Sequence, residues 1–295
     1  MRCSACFLIA ALAAACDGPT DPDAAVARDA SLPDGSADHD AGVGDGGSDA
    51  GTSDAGSSDA GTSDAGTSDA GSGLRQATMS LIQNRTGVPA SHVVYGGFFP
   101  ELVAPPIAEE GVVPCGPSAM AGSCGFYRCG LGARATAGTL TVEVEGTEIA
   151  RITTPASSGD YGGAGEGIVA ELGDDVTFRA TGDEVPAFSG TVVAPGAIAA
   201  TLPATVPRDE PLTVAWTASG AERMQVVIGA GPDAIVCIVD AADGSVEIAP
   251  ELLGMHPAGP GAVALTAFNF VGVTAGDYRV LLTAGDGTFR MTTLE

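Results

Sequence analysis

Apolar residues recur at every second position from residue 140 onwards, and this alternation limits the fold more than any other feature of the chain. Leu140, Val142 and Val144 alternate with polar neighbours, and four later segments continue the pattern, at 176–180, 212–216, 224–228 and 278–282. A strand with one buried face shows this period of two, whereas an amphipathic helix repeats every 3.6 residues. The pattern therefore predicts an all-β fold.

Short turn signals separate the predicted strands. Glycine accepts the positive φ of tight hairpin turns, so we predict hairpins at three dipeptides, Glu145-Gly146, Asp243-Gly244 and Asp286-Gly287. One short helix is predicted at 250–253, with Pro250 at its start and Gly254 at its end.

A cluster of prolines, Pro203, Pro207 and Pro211, indicates a boundary between two domains. The segments 74–205 and 206–295 are each long enough for a core, and their strand spacing is typical of antiparallel sandwiches. Trp216, the single tryptophan, is expected to fill the second core. The sequence thus predicts two antiparallel β-sandwich domains of immunoglobulin-like architecture, the first with a cysteine-rich N-terminal segment.

The segment before these domains has the composition of a chain that cannot fold. Residues 17–73 are dominated by Asp, Ala, Gly and Ser, with a five-residue period that places Asp at 49, 54, 59, 64 and 69. Thirteen Asp residues against Arg28 give this segment a net charge of −12. So little apolar surface cannot offset the entropy of ordering, and repulsion extends the chain. We predict that 16–73 forms a disordered acidic stalk that begins with Cys16.

The first fifteen residues read as a signal peptide. Arg2 supplies a positive end, and the apolar run at 5–15 would form a helix of about 16 Å, too short to span a bilayer. Two interpretations of the cleavage site compete at the same bond. Ala13-x-Ala15 fits an ordinary peptidase site, while the segment from Leu12 to Cys16 resembles a bacterial lipobox.

The number of cysteines favours the lipobox interpretation. The chain has seven, and cleavage before Cys16 removes Cys3 and Cys6. If Cys16 carries lipid, an even number remains for disulfides in an oxidising compartment. We therefore predict lipidation of Cys16 and attachment to a membrane of the bacterial cell envelope, on the surface or facing the periplasm.

The four cysteines of the folded part are disulfide candidates: Cys115, Cys124, Cys129 and Cys237. Each of the three full pairings joins Cys237 to one of the others and so cross-links the two predicted domains. The alternative is that Cys237 is a buried free thiol. The gaps between the first three do not fit the usual spacing of zinc ligands, and we predict no metal or cofactor.

Aromatic residues concentrate at the start of the folded part and form a candidate binding surface: Tyr95, Phe98, Phe99, Phe126 and Tyr127. Exposed rings bind sugars and partner chains. The alternative interpretation is that these rings pack inside the fold.

No catalytic motif is present. The chain lacks H-E-x-x-H, G-x-S-x-G and any lysine, and His92 and His256 lie in different predicted domains. The glycine-rich segment 162–167 has no lysine for phosphate and is predicted to be a loop. Consecutive acids, Glu109-Glu110 and Asp174-Asp175, would point to opposite faces of a strand. We therefore predict that the protein is not an enzyme.

Five strand and turn phrases carry a wider resemblance: GTLTV at 138–142, DVTFRATG at 175–182, VPAFSGTV at 185–192, LTVAW at 212–216 and AGDYRV at 275–280. They resemble phrases of uncharacterised bacterial lipoproteins that have Asp/Ala/Gly/Ser-rich stalks and β-sandwich domains. The resemblance covers most of 120–295 and implies the architecture, with no activity to carry over.

The predicted function is that of a surface-displayed, membrane-anchored lipoprotein with a binding or structural role. Its partners would be envelope or extracellular proteins or glycans. A net charge of −25 disfavours nucleic acid. The alternative is a secreted carbohydrate-binding module or a carboxylate-dependent hydrolase.

Overall fold

The alternating pattern forms strands throughout the part of the chain that the structure describes. The structure, a computed structural model, describes residues 74–87, 89–103, 117–128, 133–153, 155–156, 159–230 and 233–295. These residues are mostly β, as predicted. Their elements are β1 (Arg75–Asn84), β2 (Ser91–Val103), β3 (Ala119–Ala121), β4 (Cys124–Arg128), β5 (Leu140–Val144), β6 (Thr147–Ile152), β7 (Tyr161–Glu166), β8 (Asp175–Ala180), β9 (Phe188–Val193), β10 (Ile198–Ala200), β11 (Thr205–Val206), β12 (Leu212–Ala218), β13 (Arg223–Ala230), β14 (Asp233–Asp240), a 3-10 helix (Ala241–Asp243), β15 (Ser245–Ile248), α1 (Pro250–Leu253), β16 (Gly259–Ala275) and β17 (Tyr278–Leu294).

One large sheet joins strands from the beginning and the end of the described chain. Its order is β3-β4-β14-β13-β16-β17-β1-β2-β7, and β11 also pairs with β17. Strands β1 and β11 run parallel to β17, so the sheet is mixed, and the prediction of purely antiparallel sheets is wrong here. Two smaller sheets complete the fold, with the orders β6-β5-β8-β9 and β10-β12-β15.

The hairpin of β16 and β17 extends through two separate hydrophobic cores. Each strand has 17 residues, a length of about 55 Å, and the two pair without a register shift. Val280 and Leu282 belong to a first core with the four-stranded sheet, whereas Val263 and Leu265 belong to a second core with the three-stranded sheet. Because side chains alternate along paired strands, the register places both cores on the same face of the large sheet.

The predicted domain boundary at residue 205 does not separate the two cores. Cys124 and Phe126, which precede that point, lie in the second core, whereas Val280 and Leu282, which follow it, lie in the first. The residues that the structure describes belong to one compact unit. Trp216 fills the second core, as predicted.

The turn predictions have mixed outcomes. Glu145 and Gly146 adopt positive φ angles of 49° and 76° between β5 and β6, which confirms that hairpin. Asp243-Gly244 instead leads from the large sheet to a small one, and Asp286-Gly287 lies inside β17, so both of these hairpin predictions are wrong. The segment predicted to be a glycine-rich loop forms the edge strand β7. The short helix is confirmed as α1.

A disulfide joins Cys124 to Cys237 on paired strands β4 and β14. Both residues are buried in the second core, and their Cα atoms lie 4.0 Å apart. This bond confirms that Cys237 pairs with one of the three upstream cysteines and shows that the free-thiol interpretation of Cys237 is wrong. Cys115 and Cys129 lie outside the described residues, and their pairing stays a prediction.

We expect replacement of both bridged cysteines by alanine (C124A/C237A) to lower the free energy of unfolding by about 2–4 kcal/mol, because the bridge closes a long loop in the unfolded chain. Urea-induced unfolding measures the difference. Met120→Ala, an exposed change on the neighbouring strand β3, is the control and should stay within about 0.5 kcal/mol of the unaltered protein. Equal stability of the double variant and this control would contradict the assignment.

Candidate functional site at the junction of the two cores

Three polar side chains cross the large sheet where the two cores meet. Gln83, Asp286 and Asn269 lie on the adjacent strands β1, β17 and β16, on the face that carries the cores. All three are buried. A buried polar group is costly unless it is hydrogen-bonded, so the partners of these side chains determine how the chain is arranged around them. We call this set the junction row.

Asn269 holds two turns against the sheet. Its Nδ2 donates to the carbonyl oxygens of Val193 (2.9 Å) and Gly220 (2.8 Å), and its Oδ1 accepts from the backbone N–H of Glu222 (2.8 Å). The amide therefore ties the end of β9 to the turn between β12 and β13.

Gln83 holds a third segment, which connects β7 to β8. Its Nε2 donates to the carbonyl of Ala170 (2.9 Å), and its Oε1 accepts from the N–H groups of Val169 (2.8 Å) and Ala170 (3.0 Å). Gln83 and Asn269 therefore play the same role. Each amide donates to and accepts from main-chain groups that have no hydrogen-bond partner in a neighbouring strand.

Asp286 is the charged member of the row. Its Oδ2 accepts from the N–H of Ile198 at the start of β10 (2.9 Å), and its Oδ1 lies 3.3 Å from Nε of Arg85. Arg85 also donates to Oε2 of Glu171 (2.8 Å) and to the carbonyl of Ala170. Burial raises the pKa of Asp286, and the Ile198 N–H and Arg85 oppose this effect only in part.

Three apolar side chains near the row are exposed. The N–H of Gly173 donates to the carbonyl of Ala194 (3.0 Å), and Leu172 lies against Gly220, whose carbonyl Asn269 holds. Val271 follows Asn269 by two residues on the same face of β16. The exposed fractions are 55% for Leu172, 49% for Val193 and 39% for Val271. Val193 lies on the outer face of the four-stranded sheet, as Ser189 and Thr191 do.

Glycine at position 220 allows the side chain of Leu172 to lie close to the turn between β12 and β13. Its φ is +66°, and a Cβ there would lie 2.4 Å from Cδ1 of Leu172. A side chain at this position would be strained and would displace Leu172.

Exposed carboxylates lie in the same segments. Glu171 precedes Leu172, Glu222 follows Gly220 by two residues, and Asp174 accepts a hydrogen bond from the N–H of Glu171 (2.8 Å). Arg85 faces two carboxylates, those of Glu171 and Asp286.

The five predicted aromatic residues do not form one surface, and that prediction is wrong. Phe98 lies in the first core, Phe126 lies in the second, and Phe99 is buried beneath Arg134, whose guanidinium carbon is 4.4 Å from the ring centroid. Strands β2 and β4 are six positions apart in the sheet, about 29 Å. Tyr95 and Tyr127 are half-buried, one on each of these strands.

Tyr95 belongs to a buried ionic cluster. Its hydroxyl donates to Oδ1 of Asp160 (3.0 Å), which also accepts from Nε of Arg134 (2.8 Å). Burial and the neighbouring Asp160 charge raise the pKa of Tyr95. The cluster fixes the segment before β7 to β2.

The two histidines are not brought together. Nδ1 of His92 lies 3.2 Å from the carbonyl of Gly167, whereas His256 packs on Phe126 with its Nε2 3.1 Å from the carbonyl of Ile228. Burial lowers the pKa of His256. Within the described ranges, no group of three or more His, Cys, Asp and Glu side chains is arranged to hold a metal ion. Cys16, the stalk and the pair Glu109-Glu110 lie outside those ranges.

None of the helices in the described part of the chain has the length and apolar character that a bilayer crossing requires. The chain matches no protein-family model, and no curated protein is significantly similar to it.

The junction row was not predicted from the sequence. The signal that could have found it is a polar residue at an inward-facing position of an apolar strand, as in Leu81-Ile82-Gln83 and Phe268-Asn269-Phe270. Asp286 was not recognised as an inward-facing strand residue because Asp-Gly is also a common turn sequence.

We expect Asn269→Ala to lower the free energy of unfolding by about 1–3 kcal/mol, because it leaves main-chain groups of Val193, Gly220 and Glu222 without partners. Hydrogen exchange of the Glu222 amide should accelerate. Thr274→Ala, exposed on the same strand, is the matched control. An unchanged Glu222 exchange rate in the Asn269 variant would show that the contact does not hold the turn.

We expect Asp286→Asn to change how stability depends on pH. Because burial raises the pKa of Asp286, the native state takes up its proton at a higher pH than the unfolded chain does. Stability of the unaltered protein relative to the variant should therefore increase as pH falls from neutral to about 4, near the ordinary carboxyl pKa. Urea unfolding across this range measures the trend. Asp243→Asn, which removes an exposed carboxylate, controls for net charge, and a trend in the opposite direction would contradict the assignment.

Proposed function

We propose that this chain is an exported lipoprotein, anchored through Cys16 in the bacterial cell envelope, that displays a binding or structural unit on an acidic stalk. Support comes from the apolar run that ends at Cys16 and from the low-complexity segment that follows. The Cys124–Cys237 disulfide is in keeping with an oxidising compartment.

The observation that carries a binding role is the set of segments that Gln83, Asn269 and Asp286 hold by hydrogen bonds. Turns fixed by buried side chains present a defined surface, and binding residues are disproportionately found on such loops. The proposed role is not enzymatic. Asp174, one of the acids considered for hydrolysis, caps the N–H of Glu171, and three of the five rings considered for glycan binding are buried.

We also infer that the two cores represent two sandwich-like units of immunoglobulin-like architecture that share β16 and β17. Each core lies between the large sheet and one small sheet, which supports this description. The sharing of the hairpin supports a rigid unit in place of two independent modules.

Membrane attachment is tested by Cys16→Ser. The unaltered protein should be recovered with the membrane fraction and carry the added mass of fatty chains, whereas the variant should lack this mass. Cys6→Ser, within the apolar run, is the matched control and should be lipidated normally. An unaltered protein with a free thiol at Cys16 and no added mass would overturn the proposed anchor.

A further inference from the structure

We propose that His256 makes an acid-sensitive contact, and that protonation of its ring releases the connection between α1 and β16 from the second core. The connection comprises residues 254–258. This release is independent of the proposed membrane anchor and of the proposed binding role. It is carried by the burial of one side chain on an exposed segment, by the hydrogen bonding of its ring and by the charges that face it.

The connection is exposed except at His256. Its other four residues, at 254, 255, 257 and 258, are exposed, whereas the exposed fraction of His256 is 0%. The ring packs edge-on against Phe126 of β4, with the two ring centroids 5.1 Å apart. A single buried side chain therefore fixes the middle of this exposed segment to the core.

Glycines lie at both ends of the connection. Gly254 ends α1, and Gly259 begins β16 with a φ of +132° and open space where a Cβ would lie. Residues at the ends of elements absorb the changes of φ and ψ in a hinge motion. The strand ladder between β16 and β17 starts at Gly259, so outward movement of the connection leaves it intact.

The hydrogen bonding of the ring determines where an added proton goes. Nε2 lies 3.1 Å from the carbonyl oxygen of Ile228, and a carbonyl only accepts, so Nε2 carries the proton of the neutral ring. Nδ1 is buried and has no hydrogen-bond partner among the residues that the structure describes. Protonation of Nδ1 in place therefore buries a positive charge without an acceptor, which is costly.

Two charged groups on other elements act on the ring. Asp233 on β14 favours the protonated form, whereas Arg208, which precedes β12, disfavours it. Burial lowers the pKa of His256, and the Ile228 carbonyl and Asp233 oppose this effect only in part. Outward movement of the connection hydrates the ring, and its pKa then returns to the ordinary value of about 6.5.

Acid therefore favours the released state. That state takes up its proton near the ordinary histidine pKa of about 6.5, whereas the buried ring takes it up only at lower pH. Between about pH 7.5 and about pH 5.5, the equilibrium constant for release should rise by up to about tenfold.

Hydrogen exchange of the purified full-length protein measures this change. The amides of Gly254, Met255 and His256 each donate to a carbonyl of α1 and therefore report release. Their protection factors, corrected for the intrinsic effect of pH on exchange, should fall by up to about tenfold over this pH range. The Trp216 amide donates to the carbonyl of Gly244 in the same core and should keep its protection.

Two histidine variants assign the effect. His256→Gln keeps an N–H donor for the Ile228 carbonyl but does not titrate, so protection of the connection amides should no longer depend on pH. His92→Gln removes the other histidine of the described residues and should retain the pH dependence. Thermal unfolding of each variant confirms that it is folded.

Titration of the histidine ring protons by NMR tests the proposal in the unaltered protein, with the His92 variant used to assign the signals. The His256 signal should titrate below the ordinary histidine pKa of about 6.5. Titration at or above this value would overturn the proposal, as would connection amides whose protection does not change with pH. A parallel loss of Trp216 protection would also overturn it, because acid would then loosen the whole core.

Discussion

The need to satisfy buried polar groups where the two cores meet governs the arrangement of this protein. Gln83, Asn269 and Asp286 would each destabilise the interior if left without partners. Each instead binds main-chain groups of a connecting segment or a strand end: Gln83 binds the segment between β7 and β8, Asn269 the end of β9, and Asp286 the start of β10. These hydrogen bonds fix those parts of the chain to the large sheet.

The shared hairpin explains why the cores are not independent. Strands β16 and β17 each contribute to both cores, and the first strand of the described chain pairs with the last. Separating the two cores would require a break in the long ladder between β16 and β17. The disulfide adds a second link, since it holds the early strand β4 to β14 in the second core.

The proposed binding role depends on the segments that the junction row holds. The Asn269 amide donates hydrogen bonds to the carbonyls of Val193 and Gly220, so these parts of the chain are held in place and are not free loops. Under the proposed function, the acidic stalk would carry these segments away from the proposed membrane anchor.

The sequence by itself determined the strand content, the short helix at Pro250–Leu253 and the hairpin at Glu145-Gly146, because these depend on local periodicity and turn chemistry. Only the tertiary structure decided the parallel pairing of β1 with β17, the shared hairpin and the junction row. Pairing between distant strands leaves no local periodic signal, and Asp286-Gly287 has the same letters in a turn and within a strand. The candidate site followed the same rule, since Gln83, Asn269 and Asp286 lie far apart in sequence and are brought together only by the pairing of β1, β17 and β16.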